Sequence, residues 1–102
     1  MSELSVVSPG RFSLIGEINK ESVPGLVDRG WAALADHDGK DLLVDLSGVN
    51  HADSAALAML LSWVRRSRND GKDLSYYQFP EDLMALARVC GVDTLLPLAE
   101  PV

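Results

Sequence analysis

Apolar positions along the chain switch between a period of two and a period near 3.6, and the switches mark out the elements. Leu4 and Val6 alternate loosely with Glu3, Ser5 and Val7, and Phe12 and Leu14 alternate more clearly with Ser13. Pro9-Gly10 between these runs has turn chemistry, so an N-terminal hairpin is predicted. From Val23 a helical stripe follows through Leu26, Val27, Trp31 and Leu34, with Ser22 as the expected cap and Gly39 as the expected stop. Gly25 and Gly30 weaken this helix by roughly 0.5–1 kcal/mol each relative to Ala, so packing has to hold it, and they permit close backbone approach.

Leu42-Leu43-Val44-Asp45-Leu46 is a nearly continuous apolar run, the pattern of a central strand covered on both faces. Ser47 to Asp53 has turn chemistry, and a long helical segment then runs from Ser54 to Arg68, ending near Asn69-Asp70-Gly71. Leu74 to Phe79 reads as a strand. Pro80-Glu81-Asp82 suits the first turn of a third helix, which carries a core stripe of Leu83, Leu86, Ala87 and Cys90 and stops at Gly91. The apolar tail Leu95-Leu96 is interrupted by Pro97 before Leu98. The order ββαβαβα predicts a single α/β domain over residues 1–102, a mixed sheet with helices packed against it.

The second helix determines the functional reading. Leu57, Leu60, Leu61 and Val64 fall at i, i+3, i+4, i+7 and are expected to face the sheet. Ala55, Met59, Ser62 and Arg66 then lie nearly opposite, with Ala58 and Trp63 on the flanks. A solvent-facing surface of small residues, a methionine and a tryptophan suits a docking face, because small residues let a partner approach and Trp and Met are enriched in interface cores. The blander reading is partial cover of Met59 and Trp63 by a neighbouring loop. At the start of this helix either Asp53 or Ser54 can cap the free N–H groups. Ser54 also sits where the helix dipole favours a phosphate, although the charge on Asp53 opposes one.

Composition narrows the classes. With 47% hydrophobic and 24% charged residues the chain reads as an ordinary globular domain. Nine Lys and Arg against fifteen Asp and Glu give a net charge of -6, which disfavours direct binding to nucleic acid or an anionic membrane surface. The single cysteine, Cys90, favours a reducing compartment, and neither a secretory leader nor a membrane span is read, so a cytoplasmic location is expected. His37, His51 and Cys90 have no metal-ligand spacing, and the chain lacks a phosphate-binding glycine loop, so neither a metal, a cofactor nor ATPase chemistry is expected. Asp45 and Asp53 are better explained as structural than as an acid-base pair. Arg65, Arg66, Arg68 and Lys72 give the second helix a basic end, which complements the dipole or meets acidic residues of a partner.

Val44-Asp45-Leu46-Ser47-Gly48-Val49 followed by Ala52-Asp53-Ser54-Ala55-Ala56-Leu57 resembles the strand, loop and helix start of the STAS domains, named for sulfate transporters and anti-sigma-factor antagonists. Gly16-Glu17-Ile18 and the closing Gly91-Val92-Asp93-Thr94-Leu95-Leu96-Pro97 extend the resemblance over nearly the whole chain. It implies that Ser54 occupies the family's regulatory, often phosphorylated, hydroxyl position. Ala55 and Ala56 depart from the family's second Ser and usual Gly. Few residues follow Pro97, where many antagonists carry a final helix, and this shortening resembles members that serve ABC phospholipid transporters. The resemblance therefore implies a non-enzymatic accessory subunit that binds a cytoplasmic ABC ATPase, and through it the membrane permease, in maintaining outer-membrane lipid asymmetry. Its location would be peripheral to the inner membrane. The alternative partner is an anti-sigma-factor kinase acting on Ser54, and a small-ligand sensor is a third reading.

Overall fold

Alternation in the strands produces a one-sided sheet. In a computed structural model, which describes residues 2–99, the elements are β1 (Ser2–Ser8), β2 (Arg11–Ile18), α1 (Val23–Ala35), β3 (Asp41–Ala52), α2 (Ser54–Asn69), β4 (Asp73–Tyr77) and α3 (Glu81–Val89), followed by a 3-10 turn at Asp93–Leu95. Met1 and residues 100–102 of the expected domain lie outside the described residues. The sheet order is β1-β2-β3-β4, with β1 antiparallel to β2 and the other pairs parallel. The expected ββαβαβα order and mixed sheet are both found.

Register aligns Val6, Phe12, Val44 and Tyr76 in one row across all four strands. Phe12, Val44 and Tyr76 are buried, and with Leu14, Ile18, Leu42, Leu46 and Leu74 they form the sheet's side of the core. The neighbouring row, Ser5, Ser13, Asp45 and Tyr77, shares the opposite face and is only half-buried. The central strand β3 is thus covered on one face, not two. Leu43, which made its run look continuous, is half-buried.

The turn expected over Ser47–Asp53 is a bulge within a longer strand. Asp45 Oδ1 accepts the Ser47 N–H at 2.9 Å, and the register with β2 shifts between Ser13 and Ile15. Turn-forming residues thereby add a local kink without ending the pairing. Gly48 is needed there because a Cβ would sit 2.5 Å from Ile15 Cγ2. β3 continues to Ala52 beside Ile18 and delivers α2 to the end of the parallel pair.

Several boundaries differ for local reasons. Helix α1 ends at Ala35, not Gly39, and the following loop is held by Lys72 Nζ, which donates to the carbonyls of His37 and Gly39. Ser22 makes no side-chain cap; its hydroxyl turns back and donates to Glu17 O at 3.0 Å. β4 stops at Tyr77, and Gln78 adopts a left-handed φ of 59°. Cys90 follows the last turn of α3 and is exposed, so it leaves the expected core stripe. The tail pairs with β4 through Tyr76 N–H to Pro97 O and Ala99 N–H to Tyr76 O, both 2.8 Å.

Helices α1 and α2 meet at a glycine. Trp63 is fully buried, and its indole Nε1–H donates to Val27 O at 2.9 Å. A Cβ at Gly30 would lie 2.5 Å from Trp63 Cζ2, whereas one at Gly25 would meet nothing within 4 Å. The close approach expected of these glycines therefore applies to Gly30 alone. Gly30→Ala is expected to lower stability by about 1–3 kcal/mol, overpacking outweighing a propensity gain near 1 kcal/mol. Gly25→Ala should raise it by about 0.5–1 kcal/mol, and urea unfolding midpoints would reveal the opposite signs.

Burial also raises the Tyr76 hydroxyl well above its ordinary pKa, while the group donates to Leu60 O at 2.6 Å. The unfolded chain ionises first on raising the pH. This contribution to stability is therefore complete below the ordinary tyrosine value of about 10 and falls as pH rises beyond it. Tyr76→Phe should flatten that alkaline loss in pH-dependent unfolding.

Candidate functional site

The start of α2 is built by one carboxylate. Asp53 has extended backbone geometry, and its Oδ1 accepts from Ala55 N–H at 2.9 Å and Ala56 N–H at 3.3 Å. Its Oδ2 accepts from Lys20 N–H at 3.1 Å, and its own N–H donates to Ile18 O at 3.2 Å. The loop carrying Lys20 is itself ordered by Asn19, whose Oδ1 accepts from the N–H groups of Glu21 and Ser22. Asp53, rather than Ser54, is the helix cap. It ties α2 to the β2–α1 loop, and Ser54 is left exposed beside it.

The roll of α2 differs from the expectation. Met59 is 1% exposed and Trp63 0%, so neither belongs to a solvent-facing docking surface. Both lie in the core because α2 packs against α1 as well as the sheet, and Ala56, Met59, Trp63 and Ser67 form a second buried stripe beside Leu57, Leu60 and Val64. Leu61, expected inside, is half-buried at the rim. At 100° per residue the two stripes together cover an arc of about 160°, its centre rotated by roughly 70–80° from the one expected.

The outward face therefore contains Ser54, Ala58, Arg65 and Arg68, all exposed, with half-buried Leu61 and Ser62 along it. Ala55 and Asp53 are half-buried at its start. Arg66 lies on the flank toward α1, where it pairs with Asp28 at 3.0 Å. Residues 54, 58, 61, 65 and 68 follow helical spacing from Ser54, a signal that would have placed Leu61 on this face together with Arg65 and Arg68, the cations already expected to complement the dipole or meet a partner's acids. Leu95 of the 3-10 turn, 49% exposed, adjoins this face and had no such signal.

Among the described residues, no cluster of three or more His, Cys, Asp or Glu side chains is arranged to hold a metal. No described helix is long and apolar enough to cross a membrane. The geometry is that of a helix face presenting a hydroxyl, small and apolar side chains and two arginines.

A mixed sheet with its helices on one face and an Asp-Ser pair at the start of α2 is the arrangement of a STAS domain. The family described as "Mlab, STAS domain" matches residues 5–97, and the chain belongs to it. No curated protein matches by sequence. Among solved structures, a chain of the Acinetobacter MlaFEDB complex, in its ATP-bound Vtrans2 conformation, is 25% identical with a TM-score of 0.75, covering 87% of this chain and 93% of that one. A candidate anti-sigma factor antagonist from Thermotoga maritima is 14% identical with a TM-score of 0.76, covering 100% of this chain and 88% of that one. The unphosphorylated anti-sigma factor antagonist SpoIIAA is 10% identical with a TM-score of 0.69, covering 100% of this chain and 90% of that one. The last two likenesses are of fold alone. Family and structure together make the chain a STAS domain most like MlaB.

Removing the Asp53 carboxylate by Asp53→Ala is expected to cost about 1–2 kcal/mol, the range for a lost helix cap. Hydrogen exchange should quicken at the amides of Lys20, Ala55 and Ala56, and unchanged protection at all three would contradict the cap geometry.

Proposed function

We propose that this chain is the non-enzymatic STAS subunit of an ABC phospholipid transporter serving outer-membrane lipid asymmetry. It binds the cytoplasmic ATPase, and through it the permease, and so lies peripheral to the inner membrane. The observation carrying this reading is the likeness to a chain of the MlaFEDB complex, at 25% identity over 87% of this chain. The anti-sigma antagonist reading has support only from more distant likenesses of fold.

The proposed docking surface is the outward face of α2, with Ser54, Ala58, Leu61 and Ser62 central, Asp53 and Ala55 shaping its start and Arg66 on its flank. Met59 and Trp63 act only by supporting this face from beneath. Ala58 permits close approach of a partner backbone, and the rigid cap at Asp53 lets Ser54 be presented without an ordering cost. Ser54 is also the proposed modification site, since a phosphate there would enter the contact directly beside Asp53.

Ser54→Asp and Ala58→Glu should each weaken capture of the ATPase and permease at least tenfold, because a carboxylate would be desolvated without a counter-charge. Circular dichroism and melting should be near wild type for both, and Ser54→Thr should retain capture. Binding of an anti-sigma kinase with no ATPase would overturn the transporter reading, and undiminished ATPase capture by both folded acidic variants would reject the surface.

A further inference from the structure

Of the four cations at and just after the end of α2, two are held by partners within the fold and two are not. Arg66 pairs with Asp28, and Lys72 binds the carbonyls of His37 and Gly39. Arg65 and Arg68 are exposed and form no ion pair among the described residues. Complementing the helix dipole accounts for Arg66 and Arg68, which lie in the last turn, but not for Arg65, which lies before it.

These two arginines flank an open groove of about 420 Å³, lined also by Leu61, Val64, Asn69 and Leu95. Its apolar lining is contributed by Leu61, Val64 and the half-exposed Leu95. Side chains three apart on a helix stand about 5–6 Å apart at Cβ, and each guanidinium can grip a carboxylate through two parallel N–H groups. Apolar side chains beside two such grips suit a segment that carries leucine-like side chains next to acids.

We propose that this groove docks an acidic, leucine-rich segment of a partner protein, its apolar side chains between Leu61 and Leu95 and its carboxylates on Arg65 and Arg68. Charge complementarity carries the choice of occupant: a basic segment would be repelled, and a neutral one would gain nothing from either guanidinium group. The origin of the segment in the ATPase rests on the function proposed above, whereas the chemistry of the groove does not.

The test titrates the isotopically labelled full chain with an acetylated, amidated octapeptide ELLEELLE and its counterpart KLLKKLLK, following amide shifts by nuclear magnetic resonance. Saturable, submillimolar shifts clustered at Leu61, Arg65, Arg68 and Leu95 are expected with the acidic peptide alone. The double variant Arg65→Glu, Arg68→Glu, which alters only exposed side chains, should weaken ELLEELLE at least tenfold and gain affinity for KLLKKLLK. No binding, equal binding of both peptides, or binding indifferent to the charge reversal would each overturn the proposal. Failure of the peptide would leave ATPase capture through Ser54 and Ala58 standing, and failure of ATPase capture by the wild-type chain would leave the groove's peptide binding standing.

Discussion

Trp63 set against Gly30 fixes the rotation of α2 about its axis, and with it the surface the protein presents. A fully buried indole that hydrogen-bonds Val27 O has one seat, and the missing Cβ at Gly30 provides it. Once Trp63 is turned toward α1, helical geometry turns Met59 and Ala56 inward and Ser54, Ala58, Leu61, Arg65 and Arg68 outward. A contact hidden in the core thus selects the outward residues.

Asp53 supplies the second constraint. Its carboxylate accepts from three backbone N–H groups, two in its own helix and one at Lys20, so the helix start and the β2–α1 loop are held by one side chain. A negative charge at this end is favoured by the dipole, and hydrogen bonds to an ionised acceptor are stronger than neutral ones. Ala56 is buried beneath the same turn. With Trp63 holding the middle and Asp53 the beginning, both the roll and the starting point of α2 are set by side chains outside its exposed face.

Element order was legible because alternation in β2, the helical stripe of α1 and the proline-initiated α3 each agree with a single local template. The rotation of α2 was not. Leu57, Leu60, Leu61 and Val64 already satisfy one amphipathic stripe, and a one-stripe template leaves Met59 and Trp63 outside. Helix α2 has two neighbours, the sheet and α1, so its buried arc is wider and centred elsewhere. Gly30 was the available clue, but a glycine reports close approach without saying what approaches. The Ser47–Ala52 stretch misled in the opposite direction: turn-forming residues there kink β3 without ending it. The site's first residues, Asp53 and Ser54, were legible as a capped helix start; Leu95 joins the face only through tertiary folding.

The distribution of charge sets α2 apart from the rest of the chain. Fifteen acids in 102 residues would place about two in a helix the length of α2 by composition alone, yet Ser54 to Asn69 contains none. An acid in the first turn would ordinarily support the helix through its dipole, and here the Asp53 cap provides that support from just outside it. The helix is thereby stabilised without a carboxylate among its own residues. A domain of net charge -6 repels acidic proteins at long range, but the outward face of α2 carries two arginines that form no ion pair among the described residues. Such a patch favours one docking orientation over others, which is the specificity that complementary potentials provide more readily than affinity.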